Sequence, residues 1–225
     1  MQTSAPARPD DSGNWLKTWT STSRKGKRIT VNVRVDHIVL VHGDLKKAAQ
    51  IVSQVTGLEV RGGGRHDAVG TSNLIIPMGE TYLELATVND PVAAAQHPFG
   101  RLVSAALEHD RALAAWAVAG TVGDDAVPLS RAGVSVRLVG CDQAIIRPDL
   151  PFRLERPGGQ AFPGATSEPR RLREIHLRGP EEPGGLSNGP TELVTTRGPA
   201  ALHSFALDDA DGHELSVTND IWSTL

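Results

Sequence analysis

The chain has 225 residues, of which 39% are hydrophobic and 22% charged, with a formal net charge of −3, as is ordinary for a soluble globular protein. No basic stripe interleaved with aromatic residues supports a nucleic-acid role. No apolar run approaches the roughly 20 residues of a membrane span or follows the N-terminus as a secretory signal does. The single cysteine, Cys141, excludes an intrachain disulfide framework and fits the reducing cytoplasm, which is the expected location.

Residues 1–32 mix Ser, Thr, Pro and Asp with a late basic cluster and lack apolar periodicity. They are predicted to form a disordered or loosely docked extension. Trp15 and Trp19 lie four residues apart, so they can share a helical face and dock onto the domain or onto a second copy in a homodimer. Two partly exposed aromatic residues in a tail are the alternative. Residues 33–225 are predicted to form one compact domain.

Residues 33–88 carry the pattern of a βαβββ module. The run 33–41 has β-branched residues at nearly every second position, which predicts a strand. Apolar residues then recur at helical spacing between an N-cap and a glycine stop. In chain order the module contains a strand (33–41), a helix from Asp44 to Gly57, a short strand (58–61), a glycine-rich loop (62–70), and two strands (72–78 and 81–88) joined by a tight hairpin at Gly79-Glu80.

Residues 89–170 are predicted to connect this module to a second one at 171–219. The connection holds the longest helical pattern, from Arg101 to Gly120, a linker with Pro128, and a Pro- and Gly-rich loop at 157–170. The second module resembles the first with its helix reduced. Strands are predicted at 133–140 and 150–156 in the connection and at 171–178, 192–196, 202–208 and 213–218 in the second module.

Several predicted strands carry acidic or imidazole side chains within apolar runs. Because side chains alternate across a strand, Tyr82 and Glu84 share one face, and His176 shares a face with Glu174. Glu214 likewise opposes its apolar neighbours. The apolar faces are expected to pack in the core and the polar faces to line a cavity. A buried polar group is costly unless something binds it.

Three runs in order, DHIVLVHGDL, GRHDAVGTSN and YLELATV, with LPFRLER further along, resemble the glyoxalase-like branch of the vicinal oxygen chelate superfamily (glyoxalase, bleomycin resistance and extradiol dioxygenase proteins). The match is firm over 36–88 and loose from there to 219. The resemblance implies an α+β fold in which paired β-α-β-β-β modules form a cupped mixed sheet around a cavity.

The resemblance also implies a metal site. In metal-binding members each module gives one ligand from its first strand and one from its last, which here selects His37 and Glu84, then His176 and Glu214. Two imidazoles and two carboxylates suit Zn²⁺, Ni²⁺, Mn²⁺ or Fe²⁺. Carboxylates facing one cavity also repel unless a cation or proton intervenes. The alternative is a core histidine bonded to backbone, with glutamates that pair with arginines.

Such an ion would bind vicinal oxygens of a substrate and stabilise an enediolate-type intermediate, with Glu214, or otherwise Glu84, as the catalytic general base. Polar groups of the glycine-rich loop and its neighbours would orient a substrate carboxylate or carbonyl, because glycine lets the backbone approach a ligand closely. The predicted substrate-binding residues are His66, Thr71, Asn73 and Tyr82. A solvated turn and a space-filling tyrosine are the alternatives.

Three functions remain open on the sequence. The first is a metal-dependent lyase or isomerase, or an extradiol-type dioxygenase, which needs two histidines and one glutamate on Fe²⁺. The second is a metal-free protein that binds or sequesters a small molecule, with its glutamates paired to arginines. The third, a structural or interaction protein, depends only on the tail tryptophans. The expected partner is a small molecule rather than a nucleic acid or a membrane.

Overall fold

The computed structural model of the chain describes residues 31–131, 133–158, 160–167, 170–180, 186–188, 191–208 and 211–223. The predicted extension therefore lies outside the described residues except for its last two positions, and so do Trp15 and Trp19. Across these ranges no helix is both long and apolar enough to cross a membrane.

The first module forms as the sequence pattern predicts, with one strand displaced. The helix begins after Asp44, whose side chain accepts hydrogen bonds from the backbone of Lys46 and Lys47, and ends at Gly57, where φ is 68°. The short strand lies within the glycine-rich run rather than at 58–61. The elements are β1 (Val31–Val41), α1 (Leu45–Thr56), β2 (Gly63–His66), β3 (Thr71–Pro77) and β4 (Tyr82–Val88).

The segment predicted as one long helix is a helix followed by a strand. Two short helices, α2 (Pro91–Gln96) and α3 (Pro98–Glu108), precede β5 (Leu113–Ala119). The run LAAWAVA is buried on both faces, so it lacks the alternation of a half-exposed strand, and its alanines favour a helix by propensity. The prediction of a helix to Gly120 is therefore wrong beyond Glu108.

Three further strands and a short helix follow β5. They are β6 (Val127–Arg131), β7 (Val134–Val139), α4 (Cys141–Ile146) and β8 (Phe152–Glu155). The strand β6 occupies the segment around Pro128 that the sequence indicates as a linker. It pairs antiparallel with β7, which pairs antiparallel with β8.

The first sheet has the strand order β2-β3-β4-β1-β5-β8-β7-β6 and nearly closes into a cup. Its centre is the antiparallel pair β1–β5, flanked by the parallel pairs β1–β4 and β5–β8. The two end strands approach each other where Gly64 of β2 lies against the side chain of Arg131 of β6. The cup thus consists of paired modules, which confirms the predicted fold class, but its second half comes from 113–155 rather than from 171–219.

Four strands form a second sheet on the outer face of the first: β9 (Leu172–Gly179), β11 (Glu192–Arg197), β12 (Ala201–Asp208) and β13 (Glu214–Thr218). Their order in the sheet is β11-β9-β12-β13. The remaining elements are β10 (Leu186–Asn188), which pairs with β1 of the first sheet, and a 3₁₀ helix (Asn219–Ser223). A core cluster that contains Trp116 of β5, Ile175 of β9 and Phe205 of β12 joins the two sheets.

Candidate active site

A small cavity lies inside the cup of the first sheet. Its volume is about 50 Å³, enough for a few water molecules or a small functional group. We call it the inner cavity. The first module gives it mostly polar side chains. The half of the cup at 113–155, called the second module from here on, gives it mostly apolar side chains and Arg131, and Arg156 follows directly after β8. It is lined by His37, His66, Asn73, Ile75, Tyr82, Glu84, Phe99, Leu129, Arg131, Val134, Val136, Leu138, Phe152, Leu154, Arg156 and Pro163.

A β-bulge in β1 directs His37 into this cavity. Val35 pairs with Val118 of β5, and His37 pairs with the next residue, Ala117, so Asp36 is the extra residue. An inserted residue reverses the side-chain alternation along the strand. Val35 therefore packs in the core cluster between the two sheets, whereas His37, two residues later, faces the cavity inside the cup. The bulge therefore sets a buried aspartate directly beside the cavity histidine.

Asp36 fixes the orientation of the His37 ring. The carboxylate accepts two hydrogen bonds from Arg156, at 3.0 and 3.1 Å, and lies 2.8 Å from Nδ1 of His37. Burial raises the pKa of Asp36, but the hydrogen bond with His37 and the charge of Arg156 outweigh it and hold that pKa below its ordinary value. Because an ionised carboxylate only accepts, the hydrogen lies on Nδ1, and His37 donates it to Asp36.

The other ring nitrogen of His37 faces the carboxylate of Glu84. The distance from Nε2 to Oε2 is 3.4 Å, within ion-pair range, but the two atoms do not form a hydrogen bond of acceptable geometry and Nε2 is buried without a partner among the described residues. With the hydrogen on Nδ1, a neutral imidazole presents a lone pair to a carboxylate. Two facing acceptors require a proton or a bound donor between them.

Asn73 connects Glu84 to an arginine of the second module. Its amide nitrogen donates to Oε1 of Glu84 at 2.7 Å, and its amide oxygen accepts from Arg131 at 2.6 Å. Among the described residues no carboxylate lies within the 4 Å ion-pair limit of Arg131. The cavity therefore contains a guanidinium that is hydrogen-bonded but not charge-paired, which suits an anionic oxygen of a ligand.

The remaining predicted substrate-binding residues lie in or next to the same cavity. His66 lines it, and its Nδ1 is 2.9 Å from the hydroxyl of buried Thr71. Burial lowers the pKa of His66. Tyr82 stacks on His37 with ring centroids 4.6 Å apart, and burial together with the charges of Asp36 and Glu84 raises its pKa well above the ordinary value.

His176 and Glu214 do not reach the inner cavity. Their alternation within the strand follows the prediction, with Ile175 and Leu177 packed in the core, but the polar face of the second sheet is not directed at the cup. His176 lies 2.8 Å from Glu174, and Glu214 is half exposed, near Arg173. The expected convergence of His176 and Glu214 with His37 and Glu84 is therefore not found. A polar strand face can be exposed to solvent instead of lining a cavity, and the sequence pattern is the same in both cases.

Strand register identifies the second-module positions that correspond to His37 and Glu84. His37 pairs with Ala117 across the central β1–β5 ladder. Tyr82 lies beside His37 on β4, and Phe152 lies beside Ala117 on β8. Two residues further along β8, Leu154 therefore corresponds to Glu84.

This correspondence tests whether the cup fits the four-ligand metal site that the resemblance implies. The second-module positions carry alanine and leucine, which have no donor atoms. No group of three or more His, Cys, Asp or Glu side chains suited to a metal occurs in the part of the chain that the structure describes. An arginine charge also lies in the cavity. The residues present do not fit that site.

Sequence reasoning did not select Asp36, Arg131 or Arg156. Asp36 directly precedes His37 in an apolar strand, which is a usable signal, since a second buried polar residue there needs a partner. Arg156 ends the run LPFRLER that carries part of the resemblance. Arg131 offered no signal, because its strand was not predicted.

A cup of two paired modules around a cavity is the architecture of the vicinal oxygen chelate superfamily. Within it, the chain belongs to the glyoxalase-like domain family, whose model matches residues 35–198. A search of curated proteins finds no match to the chain.

A solved structure supports the fold. A hypothetical protein from Staphylococcus aureus matches 80% of this chain and 92% of its own with a TM-score of 0.59 and 13% identity. Methylmalonyl-CoA epimerases are more distant. A variant from Streptomyces coelicolor in complex with 2-nitronate-propionyl-CoA covers 55% of this chain and 96% of its own, with a TM-score of 0.40 and 14% identity. The Mycobacterium tuberculosis epimerase covers 55% and 87%, with a TM-score of 0.38 and 14% identity.

Proposed function

We propose that this protein binds a small oxygen-rich molecule whose reacting carbonyl group enters the inner cavity, and moves a proton on it, as a lyase or isomerase that passes through an enediolate-type intermediate. The observation that carries this proposal is the pair of facing acceptors, Nε2 of His37 and Oε2 of Glu84, 3.4 Å apart beside the unpaired charge of Arg131. A base, an acid and a cation next to one small space are the components of such a reaction.

The side chains take separate roles in this reaction. Glu84 accepts the proton from a carbon next to a carbonyl, and the electron pair of the broken C–H bond moves onto the carbonyl oxygen. Arg131 neutralises the negative charge that develops there. Glu84 then passes that proton to the free Nε2 of His37, 3.4 Å away, and Nε2 delivers it to a carbon of the enediolate as the carbonyl re-forms, so both side chains return to their starting states. Asp36 holds the His37 ring in place throughout. The proposal derives no step through a metal ion, because the donor set does not fit one.

Proton transfer is tested by following deuterium incorporation from D₂O into dihydroxyacetone and hydroxyacetone by NMR. We expect exchange at the carbon next to the carbonyl, and Glu84→Gln should slow it by about 10²–10⁴-fold. Glu59→Gln is the matched control, because its side chain is 74% exposed and outside the cavity. Absence of exchange would contradict the proton-transfer proposal, and absence of ligand-induced stabilisation as well would contradict binding of these compounds.

The second candidate is a metal-free protein that binds a small molecule without converting it. The apolar second-module wall favours it, because Phe152 and Leu154 give binding area but no reactive group. It predicts that the same compounds raise the melting temperature without deuterium exchange, and that Arg131→Gln abolishes the rise. Exchange that depends on Glu84 would exclude it.

A further inference from the structure

A second and larger cavity adjoins the inner one, since Leu154 and Arg156 line both. It lies on the side of the cup where β1 begins and where β5 and β8 end. Its volume is about 460 Å³, within the range of about 300–1,000 Å³ that small-molecule pockets occupy. We call it the outer cavity. The side chains that matter below are Arg34, Asp36, Glu155, Arg156, Gln160 and Phe162.

The outer cavity carries an uncompensated positive charge. Each of its two carboxylates already pairs with an arginine: Asp36 with Arg156, and Glu155 with Arg137 at 3.2 Å. Arg34 also lines the cavity and is exposed, but no carboxylate lies within 4 Å of it in the described ranges. The charge of Arg34 therefore remains for a ligand.

Aromatic contacts hold the cationic groups in place. The guanidinium of Arg34 lies over the Phe162 ring at 5.2 Å, and that of Arg156 at 5.4 Å from the same centroid. Tyr82 contacts the ring edge-on, with centroids 5.8 Å apart. Arg34 is thus positioned at the cavity rather than extended freely into solvent.

An unpaired acceptor complements this charge. The amide oxygen of Gln160 is buried and has no hydrogen-bond partner among the described residues. A buried acceptor without a partner is costly, and a hydroxyl donor of a ligand would satisfy it. The two features together define a ligand with one anionic group and one hydroxyl.

We propose that the outer cavity is a second binding site for a hydroxylated organic anion, whose carboxylate or phosphate pairs with Arg34 and whose hydroxyl donates to Gln160. This assignment goes beyond the proton-transfer function and does not depend on it, because none of its groups takes part in that reaction except Asp36, which already has its partners.

Isothermal titration calorimetry of the full chain at low ionic strength tests the site. Glycerate and glycerol 3-phosphate are the probes, and uncharged glycerol is the control. We expect at least one of the two anions to bind and glycerol not to bind; which anion binds more tightly identifies the charged group. Failure of both anions to bind would overturn the proposal.

Variants locate the bound anion. Arg34→Gln should weaken binding about tenfold or more, because it removes a charge-assisted hydrogen bond from an exposed residue without disturbing the core. The matched control is Arg61→Gln, on an exposed arginine that pairs with Glu59. It should not change affinity. If Arg34→Gln binds the anion as tightly as the unsubstituted protein does, the proposed site is wrong. It is also wrong if only Arg131→Gln loses binding, because the anion would then lie in the inner cavity.

The hydroxyl contact has a separate test. Propionate is the further probe, because it is glycerate without the two hydroxyl groups. The ratio of the affinity for glycerate to the affinity for propionate therefore reports on the hydroxyl contact. Gln160→Leu should reduce that ratio toward one, since leucine offers no acceptor. A ratio that is the same in Gln160→Leu as in the unsubstituted protein would refute the assignment of Gln160.

Discussion

The pair Asp36–Arg156 should stabilise the fold far more than a surface pair of the same geometry. The chain offers both, since Arg156 donates to both oxygens of Asp36 at 3.0 and 3.1 Å, and Arg101 donates to both oxygens of Asp142 at 2.7 and 2.9 Å. The difference between them is burial. Asp36 is 1% exposed and Arg156 14%, whereas Asp142 is 58% exposed and Arg101 38%.

The magnitude follows from this difference. Asp36→Asn leaves a nearly buried guanidinium without its counter-charge, and losing one partner of a buried pair costs about 3–5 kcal/mol. Asp142→Asn should cost about 0–1 kcal/mol, because water solvates the remaining arginine. For a chain of this length, the melting temperature should fall by at least about 6 °C in Asp36→Asn and by at most about 4 °C in Asp142→Asn.

Thermal and urea unfolding at pH 7 measure both variants. The pH is suitable because the pKa of Asp36 is lowered in the fold, so its stabilisation is fully present above the ordinary aspartate value of about 3.9 and is lost as pH falls through the folded-state pKa. Equal losses for Asp36→Asn and Asp142→Asn would refute the reasoning. A double variant with Arg156→Gln should recover part of the loss, since it removes the unpaired charge.

Further predictions concern metal, pH and backbone packing. Zn²⁺, Ni²⁺ and Mn²⁺ should not raise the melting temperature, and a stoichiometric metal in the purified protein would contradict the donor set. The pKa of His66 is lowered in the fold, so the unfolded state binds a proton more readily and the free energy of unfolding should fall as pH drops below about 6.5. In urea titrations His66→Gln should flatten this dependence of stability on pH, whereas the control His109→Gln, at an exposed histidine, should not. Gly70→Ala should cost about 1–3 kcal/mol more than Gly212→Ala in urea unfolding, because both glycines have positive φ but only at Gly70 would a Cβ meet the carbonyl oxygen of Asp90.

The sequence predicts best what local chemistry decides. The cap at Asp44, the stop at Gly57 and the hairpin at Gly79-Glu80 are short-range features, and the structure confirms them. The strand β5 was missed because burial on both faces removes the alternation that marks a strand, and only the pairing with β1 and β8 selects it over a helix.

The candidate site shows the same division. The sequence placed His37 and Glu84 in strands of one module, and short-range topology brings these two together. The predicted partner module is 171–219, because His176 and Glu214 repeat the order of His37 and Glu84, a histidine in a first strand and a glutamate in a last strand. Only long-range pairing decides which strands complete the cup, and that pairing selects 113–155.

The two halves of the cup differ in chemistry although their strands correspond. At matching register positions the first module carries an imidazole and a carboxylate, and the second carries Ala117 and Leu154. The second module instead contributes a charge from β6, where Arg131 reaches Asn73 across the mouth of the cup. In the proposed function, such an asymmetric space would orient the ligand before the reaction, because its oxygens would be held against the first module and Arg131 while its carbon skeleton would meet Leu154 and its apolar neighbours.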